Sequence, residues 1–398
     1  MNNKTESDIL TLLESGYNLP ALNPIALRLM EMASDDHSSA RDLANLIGKD
    51  PSLSVRVLKL ANSAFYRTVE PVSTIDSAVV KLGFNRLRIM ALSISLRDTF
   101  PMGKPGPIDY EQFWKSSLYR GLIAKSIADR MGACNPAEAF LASFILEIGL
   151  LIFVDLFLKG SVREDFPGMD SPDDILEWER KTFGLDHRRI GEAALEYWKF
   201  PESIIQCQQS STGPSNRTEA APLTGICEMA VVLSKILSHG AVSFESSYAV
   251  AQESFGLDQD TINEILVSVF QQVEAIASSL RVDIDREKDL LSIIEKAHAA
   301  LSRVSEKIPE NRFSSIEGKA PPSFDSIFTT GMSAKDILQA AAHEIRNPLT
   351  AVGGFARKLA SVMPPDSPEG KYADIILKEA FRLEKALAEM TAGSARHK

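Results

Sequence analysis

Apolar residues recur at intervals of three and four along roughly the first 280 residues of the chain. The pattern is clear at 25–33, 52–65 and 78–95, where polar residues fill the positions between. This spacing places the apolar side chains on one face of an α-helix, and no series of alternating strands accompanies it. Asp50 followed by Pro51 is typical of a helix start, because the carboxylate caps the first turn and proline suits the first helical position. The sequence predicts an all-α region with a substantial core.

A heptad pattern follows at 286–308, where apolar residues alternate at spacings of four and three. Two interpretations stay open for this segment. It is either a terminal helix packed on the preceding domain or a short parallel coiled coil that transmits motion between domains. Pro309 ends the pattern, and the residues after it, with a double proline at 321–322, are typical of a flexible linker. The apolar positions are Leu290, Ile294, Ala297, Leu301, Val304 and Ile308.

Two further amphipathic helices are predicted near the C-terminus, joined by the turn sequence MPPDSPEG at 363–370. Ser333 is typical of an N-cap for the first of them. A hairpin of two helices cannot bury both apolar faces alone, so we predict that two copies pair as a four-helix bundle in a homodimer. The seam positions are Leu338, Ala341, Ile345, Pro348, Val352, Phe355, Leu359 and Val362 in the first helix and Ile376, Ala380, Leu383, Leu387 and Met390 in the second.

These patterns divide the chain of 398 residues into three predicted regions, which agrees with two or three domains for this length. A large helical domain occupies 1–285, a linker helix with a proline-containing linker occupies 286–330, and the hairpin occupies 331–398. The formal net charge of −10 argues against binding to nucleic acid or to an anionic membrane, since both favour basic surfaces.

The N-terminal sequence has no apolar core long enough for a signal peptide. The most apolar run, 144–158, contains Glu147 and Asp155, and it is therefore expected to be a buried helix and not a membrane span. The cysteines, Cys134, Cys207 and Cys227, show neither close pairing nor metal-like spacing, which is typical of reduced thiols. We expect a cytoplasmic protein without a membrane segment.

His343 is the residue with the clearest chemistry. It lies two residues after Ala341 and two before Ile345, so at about 100° per residue it points roughly 200° away from each seam position. A neutral imidazole exposed on a helix can attack a phosphoryl group if its other nitrogen loses a proton. Glu344 could accept that proton as a general base, and Asn347 lies one turn from the histidine and could position a water or partner group.

Position 347 also excludes a metalloprotease-like zinc site. The motif H-E-x-x-H needs a second histidine where Asn347 stands, so a required ligand is missing.

The string HEIRNPLTAVGGFARKLA, followed by YADIILKEAFRLEKALAEM, resembles the dimerisation and phosphotransfer domain of sensor histidine kinases over about 331–393. The resemblance implies that His343 is the phospho-acceptor, that Glu344 and Asn347 assist transfer, and that a response-regulator receiver domain is the partner. Kinases of this family carry an ATP-binding domain after the second helix, and no such motifs are present here. We expect no cofactor bound by this chain, with ATP and Mg²⁺ acting only through a missing or partner kinase domain.

The strings YNLPALNPIALRLMEMA, IGKDPSLSVRVLKLANSAFY and FGLDHRRIGEAALEYWKFPESI resemble the HDOD family, helical domains related to the metal-dependent HD phosphohydrolases. The resemblance implies an HD-like helical fold, with metal ligands replaced. Ser116 stands where the first histidine ligand of an HD domain would fall. Leu146 and Glu147 replace the His-Asp pair, and Gln208 stands at a position that is often histidine in related chains. Hydrolase activity is therefore not expected, and His187 is predicted to be structural.

The leading hypothesis is a two-component signalling protein, in which an HDOD input domain regulates phosphotransfer at His343. A non-enzymatic scaffold that only binds partners is the alternative, and whether the chain is an enzyme stays open. A phosphoester hydrolase is a third and weaker hypothesis, because its ligands are missing. Within the HDOD-like region, Asn62, Ser63 and Tyr66 are the polar residues that the sequence offers as candidates for contact with a ligand or partner.

Overall fold

The structure, a computed structural model, describes part of the chain as helices and connecting turns, and no strand occurs among the described residues. The predicted all-α fold is therefore confirmed for the described residues. The described residues are 19, 21–32, 37–63, 66, 71–100, 108–158, 166–167, 172–209, 222–238, 244–284, 352–367, 370–378 and 380–381.

The helices follow in chain order. The N-terminal ones are α1 (Pro24–Glu31), α2 (Ala40–Gly48), α3 (Pro51–Ala61), α4 (Ile75–Leu82), α5 (Phe84–Thr99), α6 (Tyr110–Met131), α7 (Pro136–Phe144) and α8 (Ile148–Phe153), the last running into a π-helical turn, Val154–Leu158. Then come α9 (Pro172–Phe183), α10 (His187–Tyr197), α11 (Glu202–Ile205) with the 3₁₀ turn Gln206–Gln209, α12 (Pro222–Ser238), α13 (Phe244–Phe255) and α14 (Gln259–Leu280). Two more helices are α15 (352–362) and α16 (370–378, with 380–381).

Side-chain caps fix several helix starts where the sequence predicts them. The Asp50 carboxylate accepts a hydrogen bond from the backbone N–H of Leu53 at 3.0 Å, with Pro51 as the first helical residue of α3. Ser39 and Asp42 form a reciprocal capping box at the start of α2. These bonds satisfy amide groups that the first turn of a helix leaves unpaired.

Packing divides the described helices into two units. The first holds α1–α12 and the C-terminal part of α14, from Ser268 onward. The second holds α13, the N-terminal part of α14 up to Val267, and the hairpin helices α15 and α16.

The long helix α6 lies at the centre of the first unit, with α7 and α12 packed along it. Trp114 and Tyr119 of α6 are fully buried, and the Trp114 ring lies 5.3 Å from that of Phe144 in α7. Among the residues that the structure describes, one stretch, Pro136–Leu158, is long and apolar enough to cross a membrane, but 89% of its most apolar window is buried inside the protein. That burial is typical of a core helix, as the sequence predicts for 144–158.

The last turn of α14 is held by buried arginines of the first unit. Arg56 of α3 donates from Nε to the carbonyl of Ser279 at 2.7 Å, and Arg97 of α5 donates to the carbonyl of Arg281 at 3.3 Å. Asp98 pairs with Arg56. Cations are favourable at the C-terminal end of a helix, where unpaired carbonyl groups carry partial negative charge.

The three cysteines are free thiols, and Cys207 and Cys227 are buried. The Cys227 sulfur lies 3.1 Å from the Ser143 hydroxyl, and the Cys207 sulfur lies 3.9 Å from the hydroxyl of Thr224, one turn before Cys227 on α12. Residues that are far apart in sequence thus become neighbours in the core.

In the second unit, α15 and α16 form the predicted hairpin as far as it is described. Ser367 shapes the turn, because its hydroxyl donates to the carbonyl of Pro364 at 2.7 Å and accepts from the N–H of Gly370 at 3.0 Å. One predicted seam residue differs: Val362 is 38% exposed, since it lies in the last turn of α15 next to the loop. The other described seam residues are buried, namely Val352, Phe355, Leu359, Ile376 and Ala380.

Helices α8 and α10 approach each other closely at Gly149. A Cβ atom at Gly149 would lie 1.9 Å from the carbonyl oxygen of His187 and 2.5 Å from the nitrogen of Gly191. Only a residue without a side chain permits this contact, since both neighbours are backbone atoms.

Gly149→Ala is therefore expected to lower the free energy of unfolding by about 3 kcal/mol or more, because the helices must separate. Gly225→Ala is the matched control. Position 225 lies inside α12 with nothing within 4 Å of an added Cβ, so alanine there should be neutral or should stabilise by about 0.5–1 kcal/mol. Urea denaturation measures both, and equal midpoints for the two variants would contradict the α8–α10 contact.

Candidate functional site

A buried cluster of charged side chains lies where α8, α9 and α10 meet. Its centre is His187, the first residue of α10. The imidazole Nδ1 lies 2.6 Å from a carboxylate oxygen of Glu179, and Nε2 lies 2.6 Å from one of Glu147. The backbone N–H of His187 also donates to Glu179 at 2.8 Å. Each of these side chains is at most 6% exposed, so the histidine bridges two carboxylates in the core.

Electrostatics favour the charged imidazole at this position. Burial by itself lowers the pKa of His187, but the charge of Glu179 and the hydrogen bonds to both carboxylates outweigh burial and raise the pKa to about 9. His187 is therefore an imidazolium at neutral pH, with both nitrogens donating.

An arginine completes the cluster. Arg188 Nη2 donates to the second oxygen of Glu147 at 2.8 Å. Burial raises the pKa of Glu147, while Arg188, His187 and Arg120 lower it, and the net result is a pKa well below the ordinary value. Both oxygens of Glu147 are thus engaged by cationic side chains within the protein. The cluster of two carboxylates, an imidazolium and a guanidinium has no formal net charge, which is what burial of charges requires.

Of the sequence positions at which, by the resemblance, HD hydrolases hold metal, Glu147 belongs to the cluster. Glu147 and His187 are in contact, and the Gln208 side chain lies against the backbone of Gly191, one turn from His187. Ser116 lies one turn before Arg120 on α6. Neither the Ser116 hydroxyl nor the Gln208 amide has a hydrogen-bond partner. Among the described residues, no group of three or more histidine, cysteine, aspartate or glutamate side chains could hold a metal ion.

Glu179 and Arg188 are members of this cluster that the sequence interpretation missed. A signal was present for Glu179, because it occupies an apolar position in the helical pattern of α9. Ile175 and Leu176 on that face are each 1% exposed, and Glu179 is 0% exposed. An acidic residue on the buried face of a helix needs a cationic partner.

The three polar residues that the sequence offered for contact with a ligand or partner, Asn62, Ser63 and Tyr66, make contacts within the fold. Asn62 donates to the carbonyl of Val72 at 2.9 Å and accepts from the N–H of the same residue at 2.7 Å. The Ser63 hydroxyl donates to the carbonyl of Leu60 at 2.7 Å, and Tyr66 is buried, which raises the pKa of its phenol. Asn62 therefore ties the end of α3 to the residue that leads into α4, a structural role.

The predicted phospho-acceptor residues, His343, Glu344 and Asn347, lie outside the described residues. Their chemistry stays a prediction. The described hairpin begins at residue 352, in the same apolar pattern.

Comparison with known families identifies both parts of the chain. Residues 19–214 match the HDOD domain family, and residues 333–393 match the HisKA, or His Kinase A phospho-acceptor, domain family. The chain carries an HDOD domain and a HisKA domain. Both resemblances read from the sequence are confirmed. The combination fits a signal transduction protein, and a HisKA domain in general implies dimerisation and a response-regulator partner.

Individual relatives are distant. The uncharacterized protein YuxH of Bacillus subtilis is 24% identical over 161 residues, which are 40% of this chain and 37% of that protein. The chain thus spans little more than a third of that curated relative's length.

Two solved structures are similar to this chain over about two thirds of its length. A Shewanella amazonensis protein assigned only provisionally as a metal-dependent phosphohydrolase gives a TM-score of 0.51 at 20% identity, covering 69% of this chain and 97% of that one. An HDOD domain protein of unknown function from Geobacter sulfurreducens gives a TM-score of 0.49 at 24% identity, covering 69% of this chain and 98% of that one. At 20% identity, the first likeness shows a shared fold and nothing about activity.

The charged state of His187 predicts how stability depends on pH. Because its pKa in the folded protein, about 9, lies above the ordinary value of 6.5, the stability from the imidazolium is fully present below about pH 6.5 and is lost as the pH rises through about 9. His187→Gln should therefore be much less stable than the wild type at about pH 6, with the difference shrinking towards about pH 9.5.

Urea midpoints of both chains across this range test the prediction. His37→Gln, at an exposed position in the turn before α2, is the matched control and should keep the wild-type pH profile. A stability difference between His187→Gln and the wild type that is the same at both ends of the range would contradict a charged His187.

Proposed function

We propose that the chain is a cytoplasmic two-component signalling protein in which an HDOD input domain (1–285) regulates a phospho-acceptor domain (331–398) through the segment 286–330. The HisKA match at 333–393 carries the proposal, because it contains the string HEIRNPL at 343–349. His343 is the proposed acceptor. The apolar pattern of α15 supports a continuous helix that presents this histidine opposite the seam.

The proposed chemistry is transfer in two steps. The neutral imidazole of His343 attacks the γ-phosphorus of ATP held by a separate kinase ATP-binding domain, and the bond from that phosphorus to the bridging oxygen breaks as ADP leaves. Glu344 accepts the proton that the other ring nitrogen loses, and Asn347 positions the attacked group. The phosphoryl group then passes to an aspartate of a receiver domain, which breaks the P–N bond and returns the histidine.

The HDOD domain in this proposal binds and regulates, without cleaving phosphoesters. The pairing within its buried cluster supports that role. Glu147 and Glu179 are committed to His187, and Glu147 also to Arg188, so these carboxylates are not free to coordinate a metal or activate a water.

Phosphorylation with labelled ATP tests the transfer. The purified chain should acquire label when a histidine-kinase ATP-binding domain is supplied separately, and His343→Gln should abolish labelling. His37→Gln, distant in sequence, is the control and should label as the wild type does. Label on the chain without the added domain would reveal a nucleotide site of its own and contradict the proposal. No label with a compatible donor would favour the scaffold alternative.

The role of Glu344 can be measured separately. Glu344→Gln should leave the final extent of labelling intact while slowing the first transfer by about 10²-fold, since general-base catalysis contributes at least that much. Glu253→Gln, at an exposed position of α13, should have no effect on the rate. An unchanged rate in Glu344→Gln would assign the proton transfer to another group.

A further inference from the structure

Helix α15 lies between two other helices of the second unit, and it approaches each of them through a glycine. A Cβ at Gly353 would lie 3.3 Å from the Cβ of Ala380 in α16, inside the hairpin. A Cβ at Gly354 would lie 2.5 Å from the amide nitrogen of Asn263 in α14. Adjacent glycines inside a helix each cost about 0.5–1 kcal/mol relative to alanine, so their presence is explained by close helix packing on both sides.

The contact with α14 is specific. Asn263 is 2% exposed, and its side-chain oxygen accepts a hydrogen bond from the Tyr248 hydroxyl of α13, which fixes the orientation of the amide. Its nitrogen therefore faces Gly354. One turn further along α15, Lys358 pairs with Glu264 of α14 at 3.3 Å. The adjacent residues Asn263 and Glu264 of α14 thus contact two positions that lie one turn apart on α15.

The predicted dimer seam lies on a different face of α15 from Gly354 and Lys358, and it too is buried within a single chain. Val352, Phe355 and Leu359 belong to the seam that the apolar pattern assigns to the four-helix bundle, and in one protomer they are at most 2% exposed. Apolar side chains that are already buried offer little further area to a second hairpin. While α15 is packed in this way within its own chain, its seam is therefore not available to a second hairpin.

We propose that the hairpin docks on α14 of its own chain, and that this docked state competes with pairing of two hairpins. Release from α14 is then required before the bundle of the dimer can form. The consequence for signalling rests on the proposed function, since a HisKA domain acts as a dimer. The docking itself does not depend on phosphotransfer, and its tests below do not use phosphorylation.

A paired substitution to cysteine tests the contact in the full-length chain. Cysteines at positions 263 and 354 are near enough for a disulfide, since a Cβ at 354 lies 3.6 Å from the Cγ of Asn263, the place that a cysteine sulfur would take. Cys134, the native cysteine that is not buried, is replaced by serine. We expect a disulfide within one chain, shown by mass spectrometry of linked peptides and monomer mobility on a non-reducing gel.

The matched control pairs Asn263→Cys with Ile375→Cys, at a position of α16 that is 60% exposed, and it should form no disulfide within a chain.

Light scattering then measures whether docking on α14 prevents dimerisation. The oxidised Asn263–Gly354 variant should remain monomeric at concentrations at which the reduced variant dimerises. A disulfide only between chains, or none, would overturn the docking. An oxidised chain that still dimerises, or a reduced chain that never does, would overturn the competition.

The ion pair gives a second measurement without covalent trapping. Glu264→Lys or Lys358→Glu alone should tighten the dimer about two- to five-fold, because each replaces attraction at the docked contact by repulsion between partly exposed charges. The double exchange restores opposite charges and should return the dimer dissociation constant to the wild-type value. If the two substitutions instead changed the dimer dissociation constant additively, the Glu264–Lys358 contact would be contradicted. Repeating these measurements with His343→Gln should give the same results, so that failure of phosphotransfer and failure of docking remain distinct.

Discussion

The buried imidazolium of His187 is the interaction on which the first unit depends. It bridges Glu147 at the start of α8 and Glu179 of α9 from the first position of α10, and so it joins three helices at one point. Removing either carboxylate would leave an uncompensated charge in the core, which is far more costly than losing an exposed ion pair. The glycine contact between α8 and α10 brings the backbones close enough for this bridge to form.

The cluster also explains how an HD-like fold can be kept without the hydrolase's ligand set. In the related hydrolases, by the resemblance, metal cations balance the buried carboxylates. Here Arg188 and the protonated His187 supply the positive charge from the chain itself. The fold is thereby held by groups that are committed to one another, which supports the proposed binding and regulatory role of the domain.

The hairpin presents a different physical constraint. An amphipathic two-helix element must cover its apolar face with something. Within a single chain, Asn263 and Glu264 of α14 contact Gly354 and Lys358 of α15. The apolar stripe that predicts a dimer is buried in that same chain, and the proposed choice between internal packing and pairing is a simple route from the state of one chain to its assembly.

The sequence by itself determined the helical class, the start of α3 at Asp50 and Pro51, the hairpin turn, and both domain families. These depend on local spacing, capping and motif strings, which are properties of neighbouring residues. It also marked His187 as structural, but it did not identify Glu179 and Arg188 as its neighbours. Those contacts join residues 8 to 41 positions apart, and only the packing of α8, α9 and α10 decides them. The partner of Gly354 was likewise undetermined, because this glycine lies outside the apolar seam and only the packing of α14 against α15 brings Asn263 next to it.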